Sequence, residues 1–250
     1  MSLKLENIKW DLSDENGVSK EIIKDISLEF GDGKLVVVTG PNGGGKTTLA
    51  KLIAGVVTPS SGKILLKKND SYEDITNVDI TERARSGIAY AFQQPVRFKG
   101  LTVRNLLETA AGRPMNKGEL CNLLGKVGLC AEEYIDREMN TSLSGGESKR
   151  IEIATVLARE AEISVFDEPE AGIDLWSFTK LVEAFEEIRE MRKGTLIIIS
   201  HQERIISIAD DIVVIAGGQI RDFGPRDKIL PTLLSDEKTV RCPIKAKKGV

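Results

Sequence analysis

The residues able to do chemistry lie in a few short stretches. Gly40-Pro41-Asn42-Gly43-Gly44-Gly45-Lys46-Thr47-Thr48 fits G-x-x-x-x-G-K-[ST] at every fixed position. Glycines let backbone N–H groups converge on an anion with no side chain in the way, and a following helix aims its positive end at the same point. Lys46 adds a point charge for β- and γ-phosphates, and the Thr47 hydroxyl can face Mg²⁺. Far downstream, Asp167 closes the apolar run Ile163-Ser164-Val165-Phe166 and is followed by Glu168. The first acid suits a Mg²⁺-ordering carboxylate, and the second can orient and deprotonate an attacking water. Between them, Leu143-Ser144-Gly145-Gly146-Glu147 offers a hydroxyl, bare amides and a helix start, which make a second anion site. Taken alone, each stretch also has a bland reading, as a glycine-rich turn, a strand-end acid or a serine N-cap; their co-occurrence favours a nucleotide site.

These groups need elements to hold them. Leu35–Thr39 reads as a short buried strand, and Thr47–Ala54 as a helix with Leu49, Leu52 and Ile53 on one face, ending near Gly55. Strand, glycine loop and helix is the context that gives the first pattern its meaning. Upstream, Leu3, Leu5 and Ile8 lead to Trp10, and Ile26, Leu28 and Phe30 alternate with polar residues; both are expected half-buried strands joined by a polar loop at 14–17. Pro59-Ser60-Ser61-Gly62 is a turn before a strand at Ile64–Leu66, followed by a polar connection through Asp74 and Asp79 and a strand from Gly87 to Phe92. Residues 102–139 carry a helical pattern broken by Gly112, Pro114 and Gly128. A helix opens at Ser144, strands follow at Ile163–Asp167, Thr195–Ser200 and Ile212–Ile215, and a helix lies between with Phe178, Leu181, Phe185 and Ile188 on one face. The alternation predicts an α/β fold with a substantial parallel sheet.

Composition bounds the rest. The 250 residues suffice for one large domain or two small ones, and 41% apolar with 29% charged residues is ordinary for a globular protein. The net charge of −3 gives no basic field for nucleic acid, and Lys245, Lys247 and Lys248 read as a solvated tail. No run approaches the ~18 apolar residues of a membrane span, and MSLKLENIKW lacks the apolar region of a signal peptide, so a cytoplasmic protein is expected. Cys121, Cys130 and Cys242 form no C-x-x-C pair and are expected as reduced thiols.

Together these stretches resemble the ATP-binding-cassette (ABC) ATPases over roughly residues 3–225. Gly40–Thr48 is similar to the Walker A loop, Leu143–Glu147 to the LSGGE signature, and Ile163–Asp167 to Walker B, with Glu168 as catalytic glutamate. The resemblance implies ATP and Mg²⁺ as ligands. It makes Gln93, directly after Phe92, the glutamine that touches Mg²⁺ and attacking water, with Gln94 competing for the role. It gives Asp174 the D-loop position, His201 the γ-phosphate contact, and Trp10 the adenine stack, where a tyrosine is more usual. It implies one cassette over residues 1–250: a RecA-like mixed-sheet core (1–96 and 151–240), an antiparallel β subdomain and a small helical insertion near 97–150. It also implies an ATP-dependent head-to-tail pairing of two chains around shared ATP.

Within that superfamily, FQQPVRFKGLTV, LSGGESKRIEIATVLARE, FDEPEAGIDLWSF and SHQERI look like the ATPase component of the Suf iron–sulfur cluster assembly system, the SufC type. Glu147-Ser148-Lys149-Arg150 and EAGID depart from the residues common in importers. The implied partners are soluble scaffold proteins of the SufB/SufD type, docked near Gln93–Lys99, with iron and sulfur held mainly by the partner. The competing reading is the nucleotide-binding subunit of an ABC importer. A nucleotide-gated module without turnover would need a lost catalytic residue, and a DNA-maintenance ATPase would need long coiled-coil arms; the sequence has neither feature.

Overall fold

The computed structural model describes residues 1–13, 19–69, 71–94, 96, 98–140, 143–191 and 194–239. The expected polar loop at 14–17, Cys242 and the basic residues Lys245, Lys247 and Lys248 lie outside these, as do Pro95 and Arg97 of the expected docking stretch. The chain opens with β1 (Leu3–Ser13), β2 (Ser19–Phe30), β3 (Leu35–Thr39), α1 (Lys46–Ala54), β4 (Ser61–Lys68), β5 (Ser71–Asp74), α2 (Ile80–Arg85) and β6 (Ile88–Ala91). There follow α3 (Val103–Ala111), α4 (Lys117–Lys126), α5 (Ala131–Tyr134) and α6 (Gly145–Ala158). The last part is β7 (Ile163–Asp167), α7 (Leu175–Met191), β8 (Thr195–Ile199), α8 (Glu203–Ser207), β9 (Asp211–Ala216), β10 (Gln219–Pro225) and α9 (Arg226–Thr239).

All strands join one sheet in the order β5-β4-β1-β2-β10-β9-β3-β8-β7-β6. From β9 through β6 the pairs are parallel, while β5, β4, β1 and β2 pair antiparallel. The two parts meet at a narrow seam, a parallel contact of β10 with β2 at Gln219↔Asp25. Strands β3, β7 and β8 are buried at every position and mostly apolar, because both faces of the parallel sheet are covered. In β3, Leu35 and Val37 join the cluster beneath α3, α4, α6 and α7, while Val36 and Val38 join the opposite cluster with α1 and the antiparallel strands. Among the described residues no helix is long and apolar enough to cross a membrane.

The helical pattern at 102–139 resolves into α3, α4 and α5. Gly112 takes φ 67° at the end of α3 and Gly128 takes φ 72° beyond α4. Capping boxes start α3 at Thr102/Asn105 and α4 at Asn116/Glu119, and each satisfies amides left free in a first turn. Elsewhere the structure corrects the sequence reading. The connection through Asp74 and Asp79 holds β5, fully exposed, and α2, whose first turn Asp79 caps by accepting from Glu82 N at 2.9 Å. Strand β10 was not expected either: only Gly224 of its residues is buried. Its register comes from the Gly217-Gly218 turn, at φ 58° and 80°, the left-handed backbone that joins tight hairpins.

Helix α1 ends on a buried cation. Arg83 of α2 is 1% exposed and donates to the carbonyls of Leu52 (2.5 Å) and Ile53 (2.9 Å), as well as to Thr76 and Val78 (2.9 Å each). Burial lowers its pKa to about 10, so it remains protonated at neutral pH. The guanidinium thus satisfies carbonyls at the negative end of the helix dipole. Arg83→Met removes these donors, leaving Leu52 O only the longer bond from Gly55 N at 3.3 Å, and should cost roughly 3 kcal/mol, since hydrogen bonds to charged groups contribute most. The expected fall in Tm is roughly 6–12 °C for a chain of this size. A melting curve within about 2 °C of the parent would show that other donors replace it.

Candidate nucleotide site

The glycine loop leaves β3 and folds against the end of β9. Gly40 has φ 128°, and a Cβ there would lie 2.1 Å from the Ile215 carbonyl oxygen, so only glycine permits this approach. Gly45, at φ 105°, sits directly before α1, and its added Cβ would fall 2.7 Å from Ile23 Cδ1 of β2. The loop is pinned by Gly44 N to Pro41 O at 3.1 Å and by Gly218 N to Gly44 O at 3.0 Å. Asn42 and Gly43 are its exposed tip, and Thr48 lies in the first turn of α1. The start of α1 has no side-chain cap and no acid in its first turn, leaving its amides and dipole to an incoming anion. Lys46 is 5% exposed and donates to Gly40 O (2.8 Å) and Pro41 O (3.0 Å), which holds the ammonium inside the loop. Burial lowers its pKa, and the charges of Glu168 and Asp167 oppose that.

The acids arrive from β7. Asp167 is fully buried and accepts from Thr47 Oγ1 at 3.1 Å and Tyr90 OH at 3.3 Å. Burial raises its pKa, and the two hydroxyls pull it back down. Tyr90 enters through register, since β6 pairs with β7 at Tyr90↔Val165 and the side chain reaches up the strand. Burial and the adjacent carboxylate push its phenol well above the usual tyrosine range. Glu168 takes φ 47°, an uncommon backbone for a non-glycine residue, stabilised by its N–H to Ile199 O at 3.0 Å. Its Oε2 accepts from Gln93 Nε2 at 2.9 Å. Beyond β8, His201 is exposed; partial burial and the Lys46 charge lower its pKa, and Glu168 raises it, so both charges act on this imidazole. Next to it, Ser200 is fully buried and donates to Glu170 Oε1 at 2.6 Å. Trp10, half-buried on β1, pairs with Ile23, the residue against Gly45.

The sequence-assigned residues fall into two groups, and among the described residues no hydrogen bond joins one to the other. Gly40–Thr48, Gln93, Asp167, Glu168 and His201 form the first, with Trp10 at its margin. Ser144, Gly145, Gly146 and Asp174 form the second. Ser144 caps α6 by accepting from Glu147 N at 3.2 Å, while Glu147 accepts from Ser144 N at 2.7 Å and from Tyr134 OH. Those bonds hold the Glu147 carboxyl down at about 2. Asp174 accepts from the Ser177 hydroxyl (2.7 Å) and from the N–H groups of Trp176 and Ser177, and stands 3.7 Å from Arg150 of α6. Gly146 packs on this turn so closely that an added Cβ would lie 2.7 Å from Gly172 O.

The hydroxyl of Thr47 and the carboxylate of Asp167 are hard oxygen donors of the kind Mg²⁺ takes, and their 3.1 Å separation suits two ligands of one ion. Among the described residues no cluster of three or more His, Cys, Asp or Glu could hold a metal alone. Cys121 and Cys130 are exposed free thiols. Tyr90 escaped the sequence reading because no spacing rule places a strand tyrosine against an acid on the next strand.

The ABC transporter family pattern matches residues 23–171. An uncharacterized ABC transporter ATP-binding protein of Methanocaldococcus jannaschii is 35% identical over 215 residues, 82% of this chain and 84% of that one. The sulfate/thiosulfate import ATP-binding protein CysA of Synechocystis is 34% identical over 224 residues, 86% of this chain and 61% of that one. Among solved structures, the ATP-binding cassette MJ0796, a dimer in a post-hydrolysis state bound to ADP and Pi, superposes with a TM-score of 0.77 at 22% identity, covering 90% of this chain and 98% of that one. The chain belongs to the ABC transporter family and is an ATP-binding, ATP-hydrolysing cassette.

Proposed function

We propose that this cassette works in the cytoplasm as the ATPase of an iron–sulfur cluster assembly complex, remodelling a soluble scaffold of the SufB/SufD type through ATP-driven head-to-tail pairing. The observation that carries the ATPase mechanism is the chain of contacts from Gln93 through Glu168 and Asp167 to Thr47. The Gly40–Thr48 loop, with Lys46, binds the phosphates, and Trp10 stacks on the adenine. Thr47, Asp167 and Gln93 would hold Mg²⁺, which neutralises charge on the phosphates when bound. Glu168 accepts the proton of the attacking water, Gln93 orients Glu168 and that water, and His201 contacts the γ-phosphate. Ser144, Gly145, Gly146 and Asp174 of a second copy close over the same nucleotide. The uncapped start of α1 and the glycine-rich start of α6 then flank one anion.

The assembly role is supported by the residues around the motifs, LSGGESKRIEI and EAGID, and by the exposed apolar side chains of Val96, Phe98 and Leu101, in and next to the expected docking stretch. A second reading, the nucleotide-binding subunit of an importer, is favoured by the likeness to the sulfate/thiosulfate import protein. Affinity purification of the tagged chain from native cells separates them. Soluble scaffold proteins carrying iron and sulfide are expected; polytopic membrane proteins would establish the importer and leave the ATPase chemistry intact.

Two substitutions test the chemistry. Glu168→Gln should bind ATP normally, lower kcat by roughly 10²–10⁴-fold, and run as a dimer on size exclusion with ATP. Ordinary turnover in this variant would sink the general-base assignment. Lys46→Ala should instead weaken ATP binding by roughly tenfold or more in equilibrium titration, through loss of a charged phosphate contact.

A further inference from the structure

Residues Lys149 and Glu152 on α6 form a buried pair that the mechanism above does not use. Lys149 is 1% exposed, and its Nζ stands 3.5 Å from Glu152 Oε2. Neither spends its hydrogen-bonding capacity mainly on the other. Lys149 Nζ donates to Phe92 O and, at 3.3 Å, to Gln93 O. Glu152 Oε1 accepts from Phe92 N at 3.0 Å. The pair therefore holds both the N–H and the C=O of the residue where the chain leaves β6. One residue later, Gln93 sends its amide to Glu168.

Burying two charges is expensive, and a buried pair rarely stabilises a fold more than an apolar pair of the same volume. Here the charges grip a backbone segment with no regular partner: β6 ends at Ala91, and Phe92 has left its ladder with β7. Charge-assisted bonds to a peptide group are short and directional. The anchor is also placed on the helix that Ser144 caps, so the second half-site and the start of the Gln93 segment share one rigid element.

We propose that Lys149 and Glu152 are positioning residues for hydrolysis, clamping the Phe92–Gln93 backbone so that Gln93 meets Glu168 and follows any movement of α6. The inference rests on the proposed role of Gln93. It makes the pair act through Gln93, without touching nucleotide.

The test is a double-mutant cycle on the purified full chain, reading steady-state ATPase. Lys149→Met, and the charge-neutral Lys149→Met/Glu152→Gln, which leaves no unpaired buried charge, should each lower kcat about tenfold or more, with the KM for MgATP within about threefold of the parent. In a Gln93→Ala background the same substitutions should change kcat by less than about twofold. The neutral double variant carries the cycle if Lys149→Met alone does not fold, and Glu152→Gln alone, which keeps an acceptor for Phe92 N, should show a smaller loss of the same kind. Three outcomes overturn the clamp: equal losses with and without Gln93, a raised KM at unchanged kcat, or normal kcat in the folded variants. If Gln93→Ala alone turns over normally, the role of Gln93 falls, and the clamp falls with it. If Gln93→Ala is slow while the Lys149 variants are normal, only the clamp is wrong.

Discussion

A carboxylate with no exposed surface dictates much of this structure. Removing the Asp167 side chain from water would be prohibitive without hydrogen-bond donors at hand. The fold delivers two, from elements far apart in sequence: Thr47 from the first turn of α1 and Tyr90 from β6. Both depend on strand order. The parallel register of β6, β7 and β8 fixes the height of Asp167, and β3 beside β8 fixes where the glycine loop begins. A shift of one residue in the register of β7 would turn Asp167 to the other face, and one in β3 would displace the glycine loop, so either would separate these groups. The acid is therefore a demand on the sheet as well as a part of the site.

Around it the chemistry is distributed by burial. Asp167 and Lys46 are buried, whereas Gln93, His201 and Asp174 are exposed. The buried groups are set by packing and cannot readjust cheaply; the exposed ones sit at strand ends and turns, where a second chain or a ligand can move them. Glu168 stands between these classes, half-buried and in a left-handed backbone that its hydrogen bond to Ile199 and the turn to Ala171 maintain.

Much of this was legible in the sequence where one local signal sufficed. Leu35–Thr39, Ile163–Asp167 and Thr195–Ser200 are mostly apolar runs of strand length ending where a loop must carry function, and all three are strands, the last stopping one residue early at Ile199. Ser144 is the N-cap its type and position implied, and Gly112 and Gly128 break the helices at left-handed φ. What escaped depends on distance in sequence. Arg83 reads as one charge among many in a polar stretch; nothing near it indicates that the end of α1 will present carbonyls to it. Strand β10 lacks an apolar pattern because most of it faces solvent, and only the Gly217-Gly218 pair hinted at a hairpin. Lys149 and Glu152 look like part of an ordinary charged helix until the β6 exit is placed beside them.

The seam between the two parts of the sheet has a further consequence. Strand β2 meets β10 in one register pair, and the adjoining bonds run from Lys24 N to Gly218 O and from Gly218 N to Gly44 O. The glycine loop is thus a link in the chain of bonds that fastens the antiparallel strands to the parallel sheet, besides being the proposed place for phosphate. Whatever steadies Gly44 steadies that junction, and by thermodynamic reciprocity whatever loosens the junction weakens the grip on the anion. The coupling free energy between ligand affinity and cohesion of the two sheet parts is in this sense a single quantity, read from opposite sides of Gly44.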